Sequence, residues 1–158
     1  MHSNKNYIKL FISALLSWYF INYAEGPRAL LKWNILDGVD LIIHEAGHTI
    51  FSFLGEFIYV LSGSLFQIVV PIVFVIYFYV FRKEYLSGSI LLFWVGQSIL
   101  NVAVYISDSI KMELPLLGGD SSIHDWNYIL SELGLLKYTY LISTIFYDFG
   151  LMAIITAT

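Results

Sequence analysis

Five consecutive residues concentrate the chemistry of this chain: His44-Glu45-Ala46-Gly47-His48. On a helix the two histidines fall at i and i+4, one turn apart on one face. Their imidazoles can then hold a single metal ion. Glu45 follows the first histidine directly, where it can accept a proton from metal-bound water. Zinc lowers the pKa of such a water from about 15.7 to about 7, which supplies a hydroxide nucleophile at neutral pH. Ala46 and Gly47 are small and permit close helix packing or substrate approach. For this composition a chance H-E-x-x-H is expected roughly 0.004 times. The blander account is a pair of buried histidines bonded to neighbouring helices, and it makes two imidazoles and a carboxylate costly within an apolar segment.

The elements that must position these residues read as membrane helices. The chain has 158 residues, of which 58% are hydrophobic and 13% charged, about half the charged quarter of soluble domains. A globule of this size cannot hide that much apolar surface from water. The 18% aromatic content, with twelve Tyr and four Trp, suits two lipid–water interfaces. The net charge of −4 and scattered cations offer no basic patch for nucleic acid. With no cysteine, disulfides, thiol catalysis and cysteine-ligated metals are excluded. Spanning needs about 20 mostly apolar residues, and five segments are candidates, near 10–23, 35–55, 65–81, 86–110 and 138–158. The expected fold is an all-α polytopic transmembrane bundle of about five helices, one integral multi-pass membrane domain over 1–158.

The segment carrying the histidine pair also holds Asp37 and Asp40. Each ionisable group within a membrane costs about 2.5–3.5 kcal/mol on insertion scales, so function is suspected there. Gln67 should face a neighbouring helix, and Pro71 should kink the third segment. Gln97, Asn101 and Asp108 recur at steps of four and seven, on one helical face. The only long polar connection, 111–137, contains Pro115 and Gly118-Gly119. Ser122-Ile123-His124-Asp125 then reads as a capping box opening a short interfacial helix near 123–133 that Gly134 ends. Lysine and arginine divide four against four between the two sides, so orientation does not follow.

The soluble zinc-peptidase patterns fail after His48, since Phe51 and Leu54 stand where a glycine and a third histidine would fall. The third ligand must come from elsewhere in the bundle. An H-E-x-x-H in a membrane helix, followed two segments later by an asparagine and then an aspartate, resembles the site-2-protease class of intramembrane zinc metalloproteases. In that family the later motif reads approximately N-x-x-P-x-x-x-x-D-G, and its aspartate is the third zinc ligand. The stretch here runs from Asn101 to Ser109; it is one residue shorter, with Val104 for the proline and Ser109 for the glycine. Gly63-Ser64-Leu65-Phe66-Gln67, ahead of Pro71, echoes the family's small-residue stretch. The resemblance covers about residues 36 to 110. It implies that His44 and His48 bind zinc, Glu45 activates water and Asp108 completes the site.

Apart from that resemblance, Asp108 shares its face with Gln97 and Asn101, and it reaches the histidines only if the end of its helix dips inward. Its plainer role is an interfacial carboxylate. His124 is the rival metal ligand, carried inward by the glycine-hinged loop. Its place in a helix's first turn favours the neutral, ligating imidazole. Asp125 is accounted for as a capping acceptor, Trp126 as an interface anchor and Asp120 as a solvated loop aspartate. Asp37 or Asp40 would orient a histidine through its second ring nitrogen, or else sit solvated in a first turn. Glu56 and Asp148 read as interface groups.

The expected activity is zinc-dependent intramembrane endopeptidase, with Asn101 or His124 assisting the metal at the oxyanion. By the resemblance its substrate is another membrane protein, cut in or beside a transmembrane segment. Recruitment falls to the bundle, the 111–137 connection or an accessory membrane protein. The alternative is a non-catalytic membrane protein whose His44/His48 pair holds a structural or transported metal.

Overall fold

The structure, a computed structural model, describes residues 35–114 and 124–158 continuously, together with positions between Tyr7 and Tyr19. Expectations for Glu25 to Lys32 and for Pro115 to Ile123, including the glycine hinge, Asp120 and Ser122, lie outside the described residues. All described elements are helical. Helix α1 spans Ile35–Phe51, and a 3-10 turn at Ser52–Leu54 leads to Gly55. Gly55 has φ +89°, a conformation that L side chains rarely adopt, and it reverses the chain into α2, Glu56–Ile76. A π-helical turn, Tyr77–Arg82, extends α2. Helix α3 is Tyr85–Ser107, α4 is Asp125–Glu132 and α5 is Thr139–Ala157.

Three helices are long and apolar enough to cross a membrane: Glu56–Arg82, Tyr85–Ser107 and Leu136–Ala157. Only 17% of the first and last is buried within the protein, against 50% of the second. Helix α3 is therefore the central one, and the flanking helices turn residues such as Val73, Phe74, Phe149 and Ile155 outward. Helix α1 differs. Its 17 residues reach roughly 25 Å at about 1.5 Å per residue, short of about 30 Å of hydrocarbon. Of the about five spanning helices expected, three qualify among the described residues, and the segment near 10–23 is described only in part.

Helix α2, expected as the third segment, begins at Glu56 and not near Leu65. Ser62, Gly63 and Ser64 lie within this helix and are buried, the first two against α1 and Ser64 against Trp126. The helix runs through Pro71 and meets its π-helical turn six residues later.

Close packing uses absent side chains. A Cβ on Gly96 of α3 would lie 2.6 Å from Ile154 Cγ1, and one on Gly150 of α5 would lie 2.8 Å from Leu100 Cγ. These two glycines let α3 and α5 pack against each other more extensively than any other pair. Phe93, Leu100, Ile154 and Ala157 form the core between them. A second core joins Val60, Val102 and Ile106 to Trp126, Ile129 and Leu130 of α4. The short helix therefore packs back on the bundle through its apolar stripe, while Leu133 stays exposed.

Helix α1 docks on α3 through polar side chains. Asp37 accepts from Gln97 Nε2 at 2.7 Å and Asn101 Nδ2 at 3.0 Å. Asp40 accepts from Trp94 Nε1 at 2.7 Å and Ser98 Oγ at 3.0 Å. Both carboxylates are buried. The polar stripe read on α3 is real, and its partner is the first half of α1. Asp37 and Asp40 thus bond to α3; they neither orient a histidine nor occupy a solvated turn.

Candidate metal centre

His44 and His48 lie on the inner face of α1, with ring centroids 4.7 Å apart and planes at 79°. Gly47 between them permits this approach, because a Cβ there would overlap the Ser62 carbonyl and sit 2.8 Å from Phe66 Cβ. The smallness of that position thus sets the α1–α2 distance.

Each imidazole is fixed by a bond at Nδ1. His48 Nδ1 donates to the Tyr59 carbonyl at 2.7 Å; a carbonyl only accepts, so the hydrogen sits on Nδ1, and in the neutral ring Nε2 keeps its lone pair. His44 Nδ1 donates to Gln67 Oε1 at 3.2 Å, so in the neutral ring its Nε2 is likewise a lone-pair nitrogen. Fixing the tautomer from the far ring nitrogen is what a metal-binding histidine requires. Gln67 does face a neighbouring helix, and this is what it does there.

Both free nitrogens face one carboxylate oxygen. Asp125 Oδ2 lies 2.9 Å from His44 Nε2 and 3.3 Å from His48 Nε2. The three ligand atoms all fall within 4.8 Å of one another, and all three residues are buried. Three lone pairs converging in a buried site repel unless a cation or protons lie among them. Tetrahedral zinc with ligands at about 2.0–2.2 Å holds them roughly 3.3–3.5 Å apart. The His48–Asp125 separation matches that spacing, and the His44–Asp125 separation is slightly tighter.

Space for the ion comes from α2. A Cβ built on Gly63 would lie 2.5 Å from His48 Nε2 and 2.6 Å from His44 Nε2. That direction points into the volume the two nitrogens share, and only glycine leaves it open. The group His44, His48 and Asp125 can therefore hold a metal ion.

Burial opposes the charge of Asp125. Where a proton on each Nε2 takes the place of a metal, hydrogen bonds and charge from His44 and His48 outweigh it and hold the carboxyl below its ordinary range. It is thus in the ionised form that ligates. Its backbone N–H donates to Tyr105 Oη at 3.1 Å, and Trp126 Nε1 donates to Ser64 Oγ at 3.0 Å. Trp126 is thus a buried anchor to α2.

The remaining candidates sit around this group. Glu45 is exposed on α1, one turn before His48, and its charge is felt at His48 and Tyr105. Asp108 and His124, expected as alternative third ligands, bond to each other, with His124 Nε2 3.2 Å from Asp108 Oδ2. Neither belongs to the converging group, and Asp125 takes the third place. His124 is the N-cap of α4, with its Nδ1 accepting from the Asn127 amide at 3.3 Å. Asp125 was passed over because a capping role already explained it. The available signal was the adjacent pair His124-Asp125, two ligand types at a helix start where one turns to the cap and the other inward. No family model, curated protein or solved structure matches this chain.

Proposed function

We propose that this chain is a zinc-dependent endopeptidase of the membrane, hydrolysing peptide bonds in or near transmembrane segments of other proteins. One observation carries the reading: His44 Nε2, His48 Nε2 and Asp125 Oδ2 converge on a volume that Gly63 leaves empty of side chain. Three protein ligands, the number found among the described residues, are the pattern of catalytic zinc, which keeps a fourth position for water or substrate, whereas structural sites are closed by four. Bound zinc would act as a Lewis acid on the scissile carbonyl and on water.

The residues of the chain supply the rest. Glu45 flanks the histidine face and is exposed, so it can take the proton of the attacking water and return it to the leaving amine. Both ring nitrogens of His124 are engaged, which removes it as an oxyanion donor, and Asn101 Nδ2 is turned to Asp37 with one of its two hydrogens. Tyr105 takes that role in the proposed mechanism. Its hydroxyl accepts from the Asp125 amide and keeps its own hydrogen to offer to a developing oxyanion. The substrate class is supported by the three long apolar helices and by the resemblance of the His44–His48 segment to intramembrane metalloproteases.

The test compares the full-length protein with its Glu45→Gln variant, each reconstituted with single-span peptides as substrates. Zinc content should be stoichiometric in both, with cleavage confined to the first. Cleavage by Glu45→Gln, or zinc-free wild-type protein, refutes the proposal. Equal zinc with no cleavage by either protein favours a non-catalytic metal site.

A further inference from the structure

The third ligand opens a helix of eight residues, Asp125–Glu132, too short to be stable by its own backbone bonds. Its far end is packed, through Ile129 and Leu130, into the second core. Its ligand-bearing end is held differently, by polar groups at the end of α3.

We infer that Asp108 and His124 form a positioning clasp that places Asp125 in advance and so sets the affinity of the metal centre. This rests on reading His44, His48 and Asp125 as a metal site, and it is independent of hydrolysis. The carboxylate of Asp108 accepts from the amides of Glu113 and Leu114, each at 3.0 Å, and from His124 Nε2 at 3.2 Å. These bonds tie the end of α3 to the first residues after it and to the start of α4. His124 is 4% exposed, and both its ring nitrogens are engaged. Nδ1 accepts from the Asn127 amide, so the hydrogen lies on Nε2, which donates to Asp108. Neither nitrogen is left to ligate a metal.

The clasp and the ligand share one neighbour. The His124 ring lies 4.5 Å from the Tyr105 ring, and the Tyr105 hydroxyl takes the Asp125 amide. Asn127 Nδ2 adds a bond to the Ser109 carbonyl at 2.7 Å. The backbone on both sides of Asp125 is therefore fixed before any ion arrives. A ligand already in place spares the ion the ordering of a helix terminus, and partners of this outer kind typically change metal affinity by about 10–100-fold.

The experiment is a zinc titration against a competing chelator, with the full-length protein in detergent. His124→Ala and Asp108→Ala should each weaken zinc binding by about 10–100-fold. The double variant should be no weaker than the singles, because the two residues act as one unit. His124→Asn restores the N-cap without the reach to Asp108, so it should recover thermal stability and leave zinc binding weak. Ser143→Ala, which removes a bond to the Ala103 carbonyl elsewhere on α3, should lower stability and leave zinc affinity unchanged. Zinc binding within twofold of wild type in both single variants overturns the clasp alone. Loss in His124→Ala as complete as in Asp125→Ala also overturns it, by making His124 a ligand. A wild-type protein that binds no zinc overturns the site and the clasp together.

Discussion

Substituting Gly63 by alanine tests where an ion would sit, because the added methyl enters the space between the two imidazole nitrogens. Alanine is favoured over glycine in a helix interior by about 1 kcal/mol, so with room at position 63 the change would stabilise the protein. There is no room: the added methyl would lie 2.5 Å from His48 Nε2 and 2.6 Å from His44 Nε2. Optimal non-bonded separation is about 3.5–4.0 Å, so each ring must retreat by roughly 1 Å. Metal–ligand distances tolerate only about 0.2 Å, and at least one imidazole is lost as a ligand. If about 10–16 kcal/mol is shared among the four ligands of a structural zinc site, one ligand is worth about 3 kcal/mol, or more than a hundredfold in Kd at about 1.4 kcal/mol per tenfold. Zinc titration of Gly63→Ala should show that loss, while Gly55→Ala, strained by its φ of +89° but with no atom within 4 Å of its added Cβ, should lower stability and leave zinc affinity unchanged. Gly63→Ala protein that holds zinc at wild-type affinity would refute the placement of the ion between the two nitrogens.

Other expectations follow from the packing and protonation of the same elements. Asp40→Ala strands the Trp94 and Ser98 donors and should destabilise the fold by about 1–3 kcal/mol, read as a lower Tm in detergent with zinc affinity changed less than tenfold. Gly96→Ala forces a methyl against Ile154 and the Gly150 carbonyl and should cost about 1–3 kcal/mol, measured by denaturant unfolding. Metal ligands must be deprotonated, and although burial opposes it, bonds to Asp125 and to the Tyr59 carbonyl hold His48 above the ordinary histidine pKa, so zinc affinity should begin to fall while pH is still above about 6.5. A flat affinity from pH 7.5 to 5.0 in the same titration would remove both imidazoles from the site.

What could be read without coordinates follows a physical division. Apolar content and periodicity belong to single segments, so the helices and the polar stripe of Gln97 and Asn101 were legible one segment at a time. The start of α2 was not, because Ser62, Gly63 and Ser64 look like a break in an apolar run. Their smallness is explained only by what stands opposite, the two imidazoles and Gly47. The same holds for Asp37 and Asp40, whose roles depend on the register between α1 and α3. In each case the missing information is which face meets which, a property of pairs of helices.

Asp125 shows the sharper form of this problem. A polar residue in a helix's first turn already has a sufficient local use, since acidic groups there interact favourably with the helix terminus. That local account predicts a solvated carboxylate. The residue is instead buried, with both neighbouring imidazoles aimed at one of its oxygens. The capping work is done by Nδ1 of His124, and its Nε2 is taken up by Asp108. Exchanging the two roles would place a carboxylate beside Asp108, where like charges repel, and would leave three imidazoles facing one another with no anion to offset a divalent cation. The arrangement found separates the charges: Asp108 faces a hydrogen-bond donor, and Asp125, the carboxylate of the site among the described residues, meets two imidazole nitrogens through protons or a shared cation beside the volume that Gly63 leaves open.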